Sequence, residues 1–505
     1  MRLGFLLNQE TCIGCHACTV ACKSEHGVPL GAFRTWVKHI EKGTFPDVRR
    51  HFSVMRCNHC DDAPCMDICP TKALFRRKDG VVDFDRDACI GCKSCMQACP
   101  YDALYIEPES NTAAKCNFCA HRLDAGLEPA CVIVCPVQAI GVGDLDDPNS
   151  SLSKLAAAGA AVRKPELGTK PKTYYIGADA ASLDPLQIDD QGPYPFVTGG
   201  PAPEGEPGLV REIYDIPHPA PWGWKVWSYL WTKSIAAGVL LVAAFLGLLD
   251  LTDHTLVTRA APIVALLFIT ITSALLIFDL KRPERFWYML TRPNWKSWLV
   301  RGSVALGAFG AVALAWLLFP CRAVYAISIP ISLAAAGYTA YLFRQAKGRE
   351  FWNSKWLLTH LIVQSVVAGS AVLLILAPMF GFGSESLYWF PLIMVFGGDL
   401  SPLVLLFGAS VCLHCLIARA ESDPGHGSPH ARRAAAEISR GTHARDFTWS
   451  VLVTGTAIPL ALLLISPWAG EVRPSLTLWA SILALSGLYR YERMWTLAGQ
   501  SVPLS

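Results

Sequence analysis

Sixteen of the 19 cysteines in this chain fall into four short runs between residues 12 and 135. Two runs, CIGCHACTVAC and CIGCKSCMQAC, are near copies, and the other two, CNHCDDAPCMDIC and CNFCAHRLDAGLEPACVIVC, are variants of one another. Each begins with two cysteines separated by two residues, a spacing that lets thiolates converge on iron or zinc. The runs are Cys12, Cys15, Cys18 and Cys22; Cys57, Cys60, Cys65 and Cys69; Cys89, Cys92, Cys95 and Cys99; and Cys116, Cys119, Cys131 and Cys135.

Iron–sulfur clusters explain these runs better than the alternatives. A disulfide framework is typical of small secreted domains, and zinc is the alternative for any single pair of cysteines. The first and third runs have the C-x2-C-x2-C-x3-C spacing of bacterial ferredoxins, and Pro70, Pro100 and Pro136 follow three of the four last cysteines. In two-cluster ferredoxins the fourth cysteine of one run binds the other run's cluster. Sixteen cysteines therefore predict four [4Fe–4S] clusters with none left over.

Residues 1–150 resemble the four-cluster iron–sulfur subunit of the dimethyl sulfoxide reductase family, which includes subunits of polysulfide reductase. The stretches CNHCDDAPC, DRDACIGCKSCMQACPYDA and KCNFCAHRL carry the resemblance. It implies that the first run pairs with the fourth and the second with the third. The implied ligand sets are quartet 1 (Cys12, Cys15, Cys18, Cys135), quartet 2 (Cys22, Cys116, Cys119, Cys131), quartet 3 (Cys57, Cys60, Cys65, Cys99) and quartet 4 (Cys69, Cys89, Cys92, Cys95).

Long apolar segments dominate the sequence from residue 227 onward. Each is near or above the ~18–20 residues that a helix needs to cross a bilayer. Tryptophans cluster near their ends, as in membrane proteins. The predicted fold is therefore an α+β tandem bacterial ferredoxin-like domain with four clusters, followed by an all-α eight-helix transmembrane bundle. The predicted spans are 227–249, 257–279, 299–319, 322–343, 356–380, 391–417, 447–469 and 475–489.

Three regions follow from these patterns: a four-cluster domain at 1–150, a linker at 151–221, and a membrane domain at 222–505. The middle region is rich in Pro and Gly and has no hydrophobic period, which indicates a surface linker. Within it, the stretch KTYYIGA is a candidate added strand.

Charge indicates the orientation in a bacterial cytoplasmic (inner) membrane. Eight spans put both ends of the bundle on one side. The loops on that side, 281–298, 344–355 and 418–446, hold most of the Lys and Arg that lie between the spans. The positive-inside rule then predicts that the iron–sulfur domain faces the cytoplasm. The start of the sequence shows no apolar run or twin arginine typical of export. The net charge of +3 gives no indication of a nucleic-acid partner, and none is predicted.

The stretch FDLKRPERFWYMLTRPNWKSWLVRG at 278–302, together with the eight spans, resembles the NrfD-type anchor of polysulfide reductase-like complexes. This resemblance implies electron exchange with menaquinone or ubiquinone, no haem, and a separate large molybdopterin-binding catalytic subunit that holds molybdenum or tungsten. The sequence itself has no P-loop and no dinucleotide-binding fingerprint. Substrate chemistry is therefore expected on another polypeptide.

Ionisable residues within apolar spans are functional candidates because they are costly there. Lys233, with Trp231 beside it, could bind a quinone, although a lysine at this depth can also extend to the interface. Asp279, Arg282 and Arg285 could line the same pocket or form an interfacial ion-pair patch. His360 could bond the quinone or another helix, and Asp399 could relay protons or be structural.

We therefore interpret the protein as an electron-transfer and membrane-anchor subunit linking a catalytic partner to the quinone pool. The alternative is a redox-driven proton-translocating module with Lys233 and Asp399 in its path. A third hypothesis, a haem-carrying cytochrome, rests only on His360 and His414, because axial histidines are common haem ligands.

Overall fold

A computed structural model describes residues 1–505 except residue 45 and residues 189–209, 251–254, 381–401 and 470–471. The predicted site residue Asp399 lies outside the described residues. Ten strands are present in the described part: β1 Leu3–Asn8, β2 Thr35–Thr44, β3 Asp47–Arg56, β4 Leu74–Arg76, β5 Val82–Phe84, β6 Leu104–Ile106, β7 Ala113–Lys115, β8 Ile140–Asp144, β9 Thr173–Ile176 and β10 Val210–Tyr214.

Small sheets hold the cysteine-bearing turns in the first half of the chain. β1 lies between antiparallel β8 and parallel β9, and β2 lies between β10 and β3. Two short hairpins, β4–β5 and β6–β7, flank the third cysteine run. The helices of this half are short, each with one to three turns, and each follows a cysteine turn or a loop. They are Ala17–His26, Pro64–Ile68, Ser94–Ala98, Ala120–Asp124, Ala130–Ile133, Ser151–Ala157 and Ala180–Leu183, with 3-10 turns at Pro165–Leu167 and Pro185–Gln187.

The linker predicted at 151–221 is too wide. The candidate strand KTYYIGA is confirmed as β9, which extends the first sheet beside β1, and β10 extends the second sheet beside β2. Arg163 and Lys172 are each 1% exposed, and Lys172 Nζ donates to Gly80 O at 2.6 Å. Backbone pairing and these buried side chains make most of the described part of this region an integral layer of the iron–sulfur domain.

Seven helices among the described residues of the second half are long and apolar enough to cross a membrane. We number them span 1 Trp224–Leu248, span 2 Leu256–Asp279, span 3 Trp298–Leu318, span 4 Arg322–Gln345, span 5 Leu357–Met379, span 6 Pro402–Glu421 and span 7 Ala444–Trp468. The eighth predicted span, 475–489, lies within the helix Arg473–Ser501, which is long but carries Arg490, Glu492 and Arg493 and is less apolar.

Several spans contain irregular turns, and shorter helices connect them. Spans 2 and 7 contain π-helical turns that end just before a proline, Pro262 or Pro459, and proline disfavours the ordinary i→i−4 bonding that would continue through it. The component and connecting elements are the π-helices Leu256–Ala260 and Phe447–Ala457; the helices Ala261–Asp279, Tyr288–Thr291, Leu357–Leu376, Pro429–Ser439, Ala444–Asp446 and Ile458–Ile465; and the 3-10 turns Pro283–Arg285, Glu350–Asn353, Ala377–Phe380 and Ser466–Trp468.

Spans 1 and 5 cross at two glycines in the centre of the bundle. A Cβ atom added to Gly238 would lie 1.7 Å from the carbonyl oxygen of Ser365, and one added to Gly369 would lie 2.1 Å from Gly238. The two backbones are thus in direct contact, which only residues without a side chain permit. Gly310 on span 3, by contrast, has open space at its Cβ position.

The iron–sulfur domain sits on one end of the bundle. The loop after span 2 bonds it through Asn294, whose backbone NH donates to Pro70 O at 2.9 Å. The loop after span 4 bonds it through Arg349, whose Nε donates to Gln97 Oε1 at 3.0 Å. The start of span 1 and the end of Arg473–Ser501 meet at this same end, where Trp222 N donates to Gln500 Oε1 at 3.0 Å.

The last residues of the chain are held by cations of the iron–sulfur domain. Lys38 Nζ donates to Ser505 O at 2.8 Å, Arg163 Nη2 donates to Leu504 O at 2.9 Å, and Lys164 Nζ donates to Leu504 O at 3.0 Å. Ser505 is only 2% exposed. The two halves therefore share a buried interface, which includes the segment that connects them, since Ser505 Oγ lies 3.1 Å from His218 Nε2.

An ion-pair cluster around His218 reinforces the same interface. Its Nδ1 lies 2.6 Å from Asp102 Oδ2, and its Nε2 lies 3.6 Å from Asp215 Oδ1. Burial alone would lower the pKa of His218, but the two carboxylates outweigh that effect and raise the pKa to about 9. His218 is therefore a cation at neutral pH.

Candidate functional site

Quartets 1 and 4 each surround a small cavity. One cavity, with about 310 Å³ of space between atoms, is lined by Cys12, Cys15, Cys18 and Cys135. Another, with about 390 Å³, is lined by Cys69, Cys89, Cys92 and Cys95. Backbone NH groups point at the sulfurs, as from Ala139 to Cys135 Sγ at 3.2 Å and from Ala113 to Cys89 Sγ at 3.4 Å. The structure thus brings together the members of both predicted quartets.

The sulfurs of quartets 2 and 3 also lie close enough to one another to interact electrostatically. The sulfur of Cys22 interacts with the sulfurs of Cys116, Cys131 and Cys119. The sulfur of Cys65 interacts with those of Cys99, Cys57 and Cys60. These are the groupings that the family resemblance implies. All sixteen cysteines are free of disulfides.

The surroundings of the sulfurs suit an anionic cluster. Burial raises the pKa of the Cys18 thiol to about 11, so the protein alone favours the protonated form. Yet Arg56, which is 1% exposed, donates from Nη1 to Cys131 Sγ at 3.2 Å, and its Nε and Nη2 have no hydrogen-bond partner among the described residues. A buried guanidinium requires anions nearby. Thiolates held by iron would supply them.

The quartets follow one another in a line. Cys18 of quartet 1 interacts with Cys131 of quartet 2, and Cys116 of quartet 2 interacts with Cys57 of quartet 3. Cys95 of quartet 4 interacts with a quartet 3 cysteine as well. Quartet 1 is at the solvent end, where Cys15 is exposed.

Quartet 4 is at the membrane end of that line. Asn294 Nδ2 donates to Cys69 O at 2.8 Å, and Arg285 Nη1 donates to Cys89 O at 3.0 Å. Trp222 Nε1 donates to Cys92 O at 3.5 Å. Residues of the membrane domain therefore bond the backbone of three quartet 4 cysteines directly.

A largely apolar cavity lies directly beneath quartet 4. It holds about 660 Å³ of space between atoms, part of it open to the surroundings. A mostly apolar wall with a few polar groups is typical of small-molecule sites. Spans 1 to 4, the loop after span 2 and the cysteine turn itself all contribute. The lining residues that carry polar side-chain atoms are Cys92, Ser94, Trp222, Tyr229, Asp279, Ser303 and Tyr338.

Of the predicted quinone residues that the structure describes, Asp279 lines this cavity. Its carboxylate lies 2.9 Å from Lys93 Nζ, and Lys93 follows Cys92 in the quartet 4 turn. Arg285 instead fastens the loop to the iron–sulfur domain through Arg86 O and Cys89 O. Arg282 pairs with Glu284 at 3.5 Å and donates its backbone NH to Ile90 O.

Lys233 and Trp231 lie one layer deeper than the cavity. Lys233 is fully buried, and its Nζ donates to Ala336 O at 2.9 Å and to Thr339 Oγ1 at 2.6 Å. It therefore does not extend to the interface. It lies 5.3 Å from the ring of Tyr338, which lines the cavity. Trp231 Nε1 donates to Leu485 O at 3.0 Å and packs inside the bundle.

His360 belongs to a separate buried polar cluster. One ring nitrogen lies 2.6 Å from Glu421 Oε2, and the other lies 2.9 Å from His414 Nδ1. Tyr491 OH donates to the same Glu421 oxygen at 3.0 Å. Glu492, the next residue, is 2% exposed, and neither of its carboxylate oxygens has a hydrogen-bond partner in the described part of the chain.

Sequence reasoning missed both glutamates of this cluster. Glu421 falls in the predicted loop 418–446 and Glu492 beyond the predicted eighth span, so neither stands out as a charge inside a span. Tyr229 and Tyr338 were missed because tyrosines in apolar spans are common. The clue for Glu492 is the stretch YRYERM, which continues a helix without a breaker.

Residues 11–73 and 48–145 match family models described as 4Fe-4S dicluster domains. Residues 215–501, more than half of the chain, match the family model described as Polysulphide reductase, NrfD. The NrfD match begins just after β10, where the described sheets give way to span 1.

Relatives match the iron–sulfur half over most of their own length. The B subunit of tetrathionate reductase from Salmonella typhimurium is 44% identical over 190 residues, 37% of this chain and 76% of that protein. The B component of polysulfide reductase from Wolinella succinogenes is 42% identical over 181 residues, 35% of this chain and 94% of that protein. The iron-sulfur subunit of arsenate respiratory reductase from Shewanella sp. is 38% identical over 227 residues, 35% of this chain and 96% of that protein. This protein therefore belongs to the NrfD polysulphide reductase family and carries 4Fe-4S dicluster domains fused ahead of its membrane domain.

Proposed function

We propose that this protein carries electrons between a separate molybdenum or tungsten bis-pterin catalytic subunit and the membrane quinone pool, through four [4Fe–4S] clusters. The observation that carries the proposal is the apolar cavity at the junction of the two halves, because Cys92 of quartet 4 is part of its wall. A quinone ring in this cavity would lie next to the last cluster of the line. Quartets 1 to 4 would hold the clusters, which supply one-electron redox chemistry when bound.

The residues around the cavity have distinct tasks. Quinone reduction consumes two protons, and oxidation of the quinol releases two. Asp279, paired with Lys93, is a charged group in the cavity wall and would bond a quinone oxygen or exchange its proton. Tyr229 and Tyr338 would orient the ring from the membrane side, and Lys233 would position Tyr338 from behind. We assign Arg282 and Arg285 to holding the loop rather than the quinone.

The catalytic subunit would dock at the opposite end of the line, near quartet 1. Cys15 is exposed there, and exposed apolar side chains lie close to it in sequence, including Ile13 at 55% and Val20 at 64%. A partner that buries them would bring its own redox centre close to quartet 1. Names of the relatives fit such a role, since tetrathionate, polysulfide and arsenate reductases have subunits similar to this half.

Reduction by a quinol tests the proposal directly. The purified full chain in liposomes, mixed with a menaquinol analogue without oxygen, should show bleaching of its iron–sulfur absorbance. Dithionite gives the full amplitude as a reference. Bleaching by dithionite with none from menaquinol or ubiquinol, at potentials that permit transfer, would refute a quinone site.

We place the iron–sulfur domain on the cytoplasmic side of the inner membrane. Its support is the concentration of Lys and Arg in the loops that bond this domain. Protease added outside intact spheroplasts should leave the segment 189–209 uncut. Cleavage there, with spheroplasts intact, would reverse the orientation.

A second candidate function is redox-linked proton transfer through the bundle. The observation that favours it is the buried cluster of His360, His414, Glu421 and Tyr491, beside which lie Glu492 and Lys233. Several of its polar atoms lack partners in the described residues, so internal waters are expected there. Proteoliposomes that move no protons beyond the quinone stoichiometry, in both native protein and Glu421→Gln, would eliminate this candidate.

A further inference from the structure

Arg56 is the one buried cation that bonds a cysteine sulfur directly among the described residues. It ends β3, where backbone pairing with Thr35 fixes its position. Its guanidinium lies 4.3 Å from the ring centroid of Phe5, and that ring stacks on Phe118 with centroids 4.0 Å apart. The cation is therefore held in one place by the sheet and by a stacked aromatic pair.

The surroundings of Arg56 leave the cysteine sulfurs as its counter-charge. Among the described residues, no carboxylate lies within ion-pair distance of it, and two of its nitrogens have no hydrogen-bond partner. Its charge interacts with the sulfurs of Cys131 and Cys116 of quartet 2 and of Cys18 of quartet 1. The guanidinium thus lies between the first two quartets and interacts with both.

We propose that Arg56 raises the reduction potentials of the clusters held by quartets 1 and 2, with the larger effect on the cluster of quartet 2. The proposal rests on the cluster assignment of the proposed function. Reduction adds one electron to a cluster that its thiolates already make negative, so a fixed cation stabilises the reduced form more than the oxidised form. A hydrogen bond to a ligand sulfur acts in the same direction. Arg56 thereby favours electrons at the end of the line that is farther from the membrane.

Potentiometric titration followed by EPR tests the proposal on the purified full chain. Arg56→Gln removes the charge and keeps a donor group, whereas Arg56→Lys keeps the charge. In Arg56→Gln the potentials of two clusters should fall, one more than the other, while the remaining two stay at their native values. Arg56→Lys should lie between Arg56→Gln and the native protein. Arg77→Gln is the matched control, because Arg77 is in the same domain and pairs with Asp79 and Asp124 instead of a sulfur.

Iron content and the integrated EPR signal separate the possible failures. Four intact clusters with unchanged potentials in Arg56→Gln would overturn the role of Arg56 and leave the proposed function standing. Fewer than four clusters in the native protein would overturn the cluster assignment itself. If Arg56→Gln loses a cluster, the reduction potentials are measured in Arg56→Lys instead. A small fall in the potentials of only two clusters in Arg56→Lys supports the proposal. An equal change in the potentials of all four clusters contradicts it.

Discussion

Filling the cavity beneath quartet 4 should block exchange with quinone without disturbing the clusters. Ser303 lines the cavity from span 3, and the next residue, Val304, is 49% exposed on the outer face of the bundle. Ser303→Trp therefore places an indole in the cavity, and Val304→Trp places the same indole on the lipid side. Both substitutions lie near the interface, where tryptophan is favourable. The pair isolates the effect of position.

The size of the effect follows from the apolar surface that the cavity offers. A ring the size of an aromatic side chain buries about 150–250 Å², which contributes about 4–6 kcal/mol at ~25 cal/mol per Å². If the indole of Ser303→Trp displaces the quinone ring so that a third of that contribution is lost, binding weakens by about 1.4 kcal/mol or more. That is about a tenfold loss of affinity. We expect the second-order rate constant for reduction of the clusters by the quinol to fall at least about tenfold in Ser303→Trp and to change less than about twofold in Val304→Trp.

Stopped-flow bleaching of the clusters by a menaquinol analogue measures this rate, and dithionite gives the amplitude. Iron content should be the same in both variants and the native protein. Equal quinol rates in Ser303→Trp and Val304→Trp, at full cluster content, would show that the quinone does not use this cavity.

Three further predictions concern the clusters and the stability of the fold. The native protein should contain about 16 iron atoms. The EPR spectrum of Cys135→Ser should lack the signal of the quartet 1 cluster, whereas Cys412→Ser should keep the signals of all four clusters. Retention of every signal in Cys135→Ser would contradict the predicted pairing of the cysteine runs. Gly238→Ala should destabilise the protein by about 1–3 kcal/mol or prevent its assembly, because the added Cβ would lie 1.7 Å from a carbonyl oxygen. Gly310→Ala, the control, should leave the melting temperature in detergent unchanged, because its Cβ position is open. Equal melting temperatures of the two variants would disprove the close crossing of spans 1 and 5. Protonated His218 should contribute about 3 kcal/mol at most to the free energy of unfolding. The pKa of His218 is raised to about 9, so this contribution is complete below about pH 6.5 and is lost progressively as pH rises through about 9. The melting temperature should therefore fall over that range in the native protein and stay level in His218→Gln, and parallel profiles would refute the assignment.

Spacing of residues made the iron–sulfur half predictable. Ligand cysteines repeat at fixed intervals because one cluster imposes one geometry, so the type of cluster could be inferred from the amino-acid sequence. Hydropathy likewise located the spans, since a bilayer sets one length for all helices. Which of these helices touch, and where, depends on close approaches such as that between Gly238 and Gly369, which no periodic pattern reveals.

The lining of the cavity beneath quartet 4 was only partly predictable for the same reason. Asp279 stands out as a charge at the end of an apolar span, and it does line the cavity. Lys233 stands out more, yet its partners are Ala336 O and Thr339 on a different helix, which sequence separation conceals. Glu421 and Glu492 escaped notice because hydropathy windows end where charged residues begin. Arg56 was inconspicuous because a single arginine at the end of a strand is ordinarily exposed.

The hydrogen bonds from Lys38, Arg163 and Lys164 to Leu504 and Ser505 also affect the order in which the protein assembles. The ribosome synthesises the iron–sulfur half before the membrane helices, yet the docked position of that half depends on residues that follow the helix Arg473–Ser501. The domain must therefore wait while the described membrane helices are inserted. Its docking onto the bundle is then a late step of assembly, which a polypeptide without Leu504 and Ser505 would complete poorly.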